Sequence, residues 1–349
     1  MTLISSVNNT AALTILKSVT KVDEAAPAQT PGQFPWFSGV DSTAQSALDK
    51  ITAILLTSGQ MHQGTDEDES IFANSDNVID AGEGNNTVSV NSRNAISAGR
   101  GNDQIFANAY NSIDVGDGDN KVFANSGNTI TTGAGNDEIT INADNTLSAG
   151  DGNNNIFGNS SNRITTGSGD DKVQLNSGNM LDTGSGNDNI SANTRNVINA
   201  GDGDDNITVG SNNIVDAGAG NDRIWADASQ IRGGTGDDHI VATGAGSVIH
   251  YDAGDGRDKV VISGDATLQF GAGVSAENTL IEVSGSKATI SFSGNEADRI
   301  TVDFLQGDFS VAFSDGTRIA VKSALESNQV SSVYLEPRGP HVANVYNEH

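Results

Sequence analysis

The chain has 349 residues, enough for a sizeable core, with 18 Lys and Arg against 45 Asp and Glu and a formal net charge of −27. That excess of acid argues against nucleic acid and anionic membranes as partners, because both present negative surfaces. The absence of cysteine rules out disulfides and thiolate chemistry, and 41 glycines beside 5 prolines point to an architecture of many tight turns.

Residues 1–63 form an N-terminal segment, read as a cap or an assembly element. Its start, MTLISSVNNTAALTIL, has no basic leader, and Asn8 and Asn9 interrupt its apolar run, so it does not read as a cleaved secretion signal. No stretch of the chain approaches the roughly 20 apolar residues of a membrane span, so membrane insertion is not expected. Ser46 to Leu56 carries Ala47, Leu48, Ile51, Ile54 and Leu55 at helical spacing, which predicts an amphipathic helix covering the first open edge of the repeats on its C-terminal side.

Residues 64–240 repeat with a period of 17, marked by GxG pairs that begin at Gly82, Gly99, Gly116, Gly133, Gly150, Gly167, Gly184, Gly201 and Gly218. Numbered from the first glycine, position 7 holds Val88, Ile105, Val122 and their equivalents as far as Ile224. Position 15 holds Ile96, Ile113, Ile130 and so on to Val215. Mixed polar residues flank both positions, so each unit predicts two short half-buried strands separated by two turns. A unit this small cannot bury its own apolar face, whereas copies stacked in register share a continuous Ile and Val core. The expected fold is all-β: a parallel β-solenoid of about ten coils, with a small helical N-terminal cap and a β-rich C-terminal cap. Residues 241–335 form that β-rich closing region and 336–349 a tail.

The two turns of each coil carry different chemistry. In the first, paired glycines let backbone carbonyls converge without a Cβ in the way: Gly99 with Gly101, Gly116 with Gly118, Gly133 with Gly135, Gly150 with Gly152, Gly167 with Gly169, Gly184 with Gly186, Gly201 with Gly203, and Gly218 with Gly220. Position 5 then supplies Asp103, Asp137, Asp171, Asp188, Asp205, Asp222 and Asp238. Asp258 does so in a degenerate last copy, and Asn86, Asn120 and Asn154 take the place in other coils. Converging oxygen ligands suit calcium. Stacked carboxylates about 4.8 Å apart repel by roughly 3 kcal/mol per pair at an effective dielectric of about 20, so the column needs cations between its members. Where position 5 is Asn, position 2 is acidic, as Glu83, Asp117 and Asp151, so the carboxylate there is expected to have moved rather than vanished. From Asp171 onward position 5 is Asp in every coil, which predicts fuller metal occupancy in the second half of the rod. The second turn, N-S-x-N, carries two asparagines per coil, such as Asn108 and Asn111, that suit left-handed corners and coil-to-coil amide ladders.

The turns GAGNDEI, GSGDDKV, GSGNDNI, GDGDDNI and GTGDDHI resemble the GGxGxDxUx nonapeptides of RTX calcium-binding proteins over roughly residues 64–260, and the following YDAGDGRDKVVISG resembles the β-rich region after such repeats. The resemblance implies several calcium ions along one edge, and type I secretion to the extracellular space or cell surface. It implies that the chain stays unfolded in a calcium-poor cytosol and folds outside. Two departures stand out: the period is 17, not 18, and only alternate turns carry the motif.

A repeat offers no unique catalytic constellation, and His62, His239, His250, His341 and His349 show no metalloprotease or triad spacing, so they read as scattered surface residues and no enzyme is expected. Position 8 places Phe72, Phe106, Phe123, Phe157 and Trp225 outward on one face, open to a partner or covered by Phe34, Trp36 and Phe37. The expected function is structural or adhesive, with calcium as partner and self-assembly or cell-surface polysaccharide as further partners. A calcium-dependent carbohydrate-binding or effector role is the alternative. Ice binding is the weakest reading, because Thr129, Thr131, Thr146, Ser148 and Thr165 form too short an array.

Overall fold

The computed structural model describes residues 53–306, 308–322 and the backbone of 331–333 and 343–344. The chain divides into Met1–Thr52 and Ala53–His349, and the described residues all belong to the second unit.

That unit is a parallel β-solenoid of about 13 turns with 17-residue spacing. One sheet is built from Ala53–Leu56, Ser70–Ser75, Thr87–Ser92, Gln104–Ala109 and their successors, and the opposite sheet from Met61–Thr65, Val78–Gly82, Ala95–Ser97, Ser112–Asp114 and theirs. Pairing is in strict register, with Ile139 opposite Ile156 in the first sheet and Ile130 opposite Leu147 in the second. Burial alternates along the strands of the repeats, so positions 7 and 15 face each other across a narrow core in which Ile105, Ile113, Ile139, Ile207 and their equivalents are almost wholly buried. Burying one such side chain contributes about 2 kcal/mol, which cannot offset the ordering of a whole coil. Each coil therefore depends on its neighbours.

Four features differ from the sequence expectation. The end of the expected Ser46–Leu56 helix is strand: Ala53–Leu56 pairs in parallel with Ser70–Ser75, because Ile54 and Leu56 continue the inward alternation of the sheet. The rest of that helix, with Phe34, Trp36 and Phe37, lies outside the described residues. The solenoid is also longer than about ten coils. His239–Thr243, Arg257–Ser263 and Asn295–Gln306 extend the first sheet, while Ser247–Tyr251, Ala266–Phe270 and Phe309–Ala312 extend the second. Between the last two coils the chain leaves to form the antiparallel hairpin Thr279–Ser284 and Lys287–Phe292, which then flanks the end of the first sheet. Here Tyr251, Phe270, Phe292 and Phe313 replace the thin aliphatic core with a ring cluster, Phe270 and Phe313 lying 5.3 Å apart between centroids.

The third difference is at the second turn. The left-handed residue is not one of the ladder asparagines but position 12 before the second of them: Arg93 has φ 58°, Tyr110 58°, Asp144 56°, Ser161 55°, Arg195 57° and Asn212 61°. At the other end, His62 occupies an inward register position and its Nε2 lies 2.7 Å from Glu69, with only 17% of its side chain exposed. It closes the first coil and is not a scattered surface histidine. Among the described residues no helix is long and apolar enough to cross a membrane.

Candidate metal centre

The glycine turns stack so closely that side chains are excluded. Gly116 has φ 88° and Gly118 φ 135°. A Cβ on either would land on the carbonyl oxygen of Gly99 or Gly101 in the preceding coil. Of the paired glycines expected to line the turns from Gly99 to Gly220, every one but Gly167 has a positive φ of this kind. The result is a column of corners walled by backbone carbonyls, with position 5 pointing inward.

Every position 5 residue expected at this edge is in that column and buried: Asn86, Asp103, Asn120, Asp137, Asn154, Asp171, Asp188, Asp205, Asp222, Asp238 and Asp258. Each uses Oδ1 in the same way, accepting the backbone N–H of the position 5 residue one coil earlier. Thus Asn86 donates to Asp103 at 2.7 Å, Asp188 to Asp205 at 2.8 Å and Asp238 to Asp258 at 3.0 Å.

The second terminal atom separates the two residue types. In the asparagine coils Nδ2 donates into the carbonyl wall: Asn120 reaches Gly116 O at 3.0 Å and Gly118 O at 2.9 Å, and Asn154 reaches Gly150 O at 3.3 Å and Gly152 O at 3.0 Å. In the aspartate coils that atom is an oxygen. Oδ2 of Asp103, Asp137, Asp171, Asp188, Asp205, Asp222 and Asp238 is buried with no hydrogen-bond partner. The Thr132 and Thr183 hydroxyls lie against Asp137 and Asp188. Each, however, donates its one hydrogen to a carbonyl of the next coil at 2.7 Å.

Burial opposes the charge of these carboxyls. It pushes Asp103, Asp171 and Asp222 up to about 6, Asp205 and Asp238 up to about 7, and Asp258 up to about 8, and it raises Asp137 and Asp188. The donated N–H opposes the rise, while repulsion from Asp188 and Asp222 adds to it at Asp205. A buried acceptor facing only acceptors is costly unless a proton or a cation lies between them.

The donor set fits a hard cation. Among the described residues no three His, Cys, Asp or Glu side chains converge. An ion here would take one carboxylate per corner and otherwise the glycine carbonyls, an all-oxygen set of the kind calcium accepts.

The acidic residues at position 2 do something else. Asp117 and Asp151 are exposed, and each accepts the backbone N–H of position 2 in the next coil, Ala134 and Ser168, both at 3.0 Å. Sequence reasoning assigned no role to position 4, which forms a second, exposed ladder running the opposite way: Asp119 N–H donates to Asn102 Oδ1 at 2.9 Å and Asn136 N–H to Asp119 Oδ1 at 2.8 Å. Its signal was the unbroken Asn or Asp at that position.

The fold and its carbonyl-walled acidic column define a calcium-binding parallel β-solenoid. Residues 64–94, 91–109, 141–173, 192–224 and 207–230, about a third of the chain, match the family model of the RTX calcium-binding nonapeptide repeat (4 copies). Repeats and solenoid together fit an RTX repeat protein. No curated protein matches it.

Proposed function

We propose that this calcium-binding solenoid is exported by type I secretion and folds outside the cell, where it serves a structural or adhesive, non-enzymatic role at the bacterial surface or in its matrix. The observation that carries the reading is the column of buried, unpartnered Oδ2 atoms from Asp103 to Asp238. Without an ion these oxygens oppose coil stacking, so a calcium-poor cytosol disfavours the rod and a calcium-rich exterior favours it. Near-identical coils are suited to scaffolding, since each adds length without adding a distinct site.

The test is circular dichroism with thermal melting on the whole chain, before and after stripping with EGTA. Calcium removal is expected to lower both strand signal and melting temperature, with recovery on re-addition. An unchanged melting curve would overturn the reading. Sedimentation with and without calcium then tests self-association.

Binding to cell-surface polysaccharide is a second reading, supported by the outward aromatic row. Phe72, Phe106 and Phe157 are exposed and Trp225 is 56% exposed, while Phe106 and Phe123 stack at 5.4 Å. Flat exposed rings suit sugar faces. A glycan array with Trp225→Ala as control tests it.

A further inference from the structure

Two kinds of corner alternate through the first part of the rod. The order is Asn86, Asp103, Asn120, Asp137, Asn154, after which Asp171, Asp188, Asp205, Asp222, Asp238 and Asp258 follow without interruption. The asparagine orientation is dictated by its neighbours. Oδ1 of Asn120 accepts the N–H of Asp103 at 2.9 Å, so the amide hydrogens must face the opposite side. On that side they meet the Gly116 and Gly118 carbonyls at the start of the same coil and, at 3.4 Å, the Thr132 carbonyl at its end. Asn86 likewise meets the Gly84 and Ala98 carbonyls at 3.4 and 3.1 Å. An aspartate in the same register turns an oxygen toward that wall and leaves it unpartnered.

We infer that the asparagine side chains are built-in substitutes for calcium, so that the coils from Asn86 to Asn154 hold ions only in every second corner and depend less on metal, while the run from Asp171 to Asp258 assembles as one strongly calcium-dependent block. The inference rests on the reading that calcium occupies the glycine-aspartate corners. An amide delivers positive hydrogens to the carbonyls that a cation would otherwise draw together, and it does so with no net charge. It also separates Asp103 from Asp137 by two coil rises, about 9.6 Å, which weakens their repulsion. In the later block every carboxyl has a carboxyl neighbour, and an ion bound between two coils relieves both. The rod would thus contain a segment with a weaker calcium requirement and a strongly calcium-gated extension of it.

The experiment uses the full chain, with bound calcium per chain measured by elemental analysis after desalting, and strand protection followed by hydrogen exchange in EGTA. In the wild type, strands Gln104–Ala109, Lys121–Ser126 and Glu138–Ala143 are expected to exchange at least about tenfold more slowly in EGTA than Asn189–Thr194 and Asn206–Val209. Asn120→Asp should add about one ion and abolish the metal-free protection of Lys121–Ser126. Asp205→Asn should remove about one ion and raise metal-free protection of its neighbours about tenfold. If Asn120→Asp fails to fold even in calcium, Asp205→Asn decides alone. Equal exchange of both regions in EGTA, or ion counts unchanged by both substitutions, would overturn the inference. A wild type that binds no calcium would overturn the underlying reading instead.

Discussion

The two long edges of the solenoid use one device and end in opposite states. At the asparagine edge, position 13 accepts the N–H of the preceding coil through Oδ1, as Asn128 does from Asn111 at 2.9 Å. Its Nδ2 then donates to Asn145 Oδ1 and to the Asn108 carbonyl, at 3.0 and 3.1 Å. At the glycine edge Asp205 accepts the N–H of Asp188 in the same way, but its second atom has nothing to accept. One edge satisfies its own polar atoms, and the other leaves buried acceptors without a partner. The difference is a single atom, nitrogen against oxygen, repeated along the rod.

The largest effect expected to sharpen this contrast is with pH. The aspartates of the glycine edge titrate higher in the folded rod than the ordinary value of 3.8, with Asp205 near 7 and Asp258 near 8. Between those limits the folded state binds more protons than the unfolded one, so stability falls as pH rises. In EGTA the melting temperature should therefore climb as pH is lowered from about 8 to about 5, the proton standing where calcium would, while calcium should flatten the dependence. A metal-free melting temperature that falls over that range would break the comparison.

Next in size is Gly203→Val. Gly203 has φ 134°, and its Cβ would land on the Gly186 carbonyl oxygen, so the substitution should cost about 3 kcal/mol with or without calcium, read by denaturant melts. Asn128→Ala leaves the buried backbone N–H of Asn111 without an acceptor and its Nδ2 with the Asn91 carbonyl alone, and should cost about 2 kcal/mol, by an amount indifferent to calcium. If that loss changed with calcium, the two edges would not be independent. The smallest change is a gain: Arg195→Gly relieves a left-handed φ of 57° at a corner of the asparagine edge and should stabilise by about 1 kcal/mol in both states.

Much of this was legible before the fold. The 17-residue spacing, the Ile and Val at positions 7 and 15 and the asparagine ladders are local, repeated signals, and repetition makes a weak pattern unmistakable. The ends were harder to read. Ser46–Leu56 has helical spacing, yet Ala53–Leu56 is strand because the open edge of Ser70–Ser75 offers it a complete ladder of hydrogen bonds. The last coil was hidden because Val302 reaches Val260 only after a hairpin excursion that interrupts the period. The left-handed corner is expected at the asparagines because that residue tolerates such backbone. The two asparagines are instead held by the ladders, and the bend falls on whatever residue stands between them.

The amino-acid order alone determined the coil, its period, its core rows and the oxygen-rich character of one edge, because each of these repeats within a single turn of chain. Which atom of each side chain is satisfied was decided only by stacking. The N–H that fixes Oδ1 comes from the neighbouring coil, 17 residues away, and the Thr132 carbonyl that meets Nδ2 of Asn120 lies 12 residues along the chain, so the site exists only once the coils lie on one another.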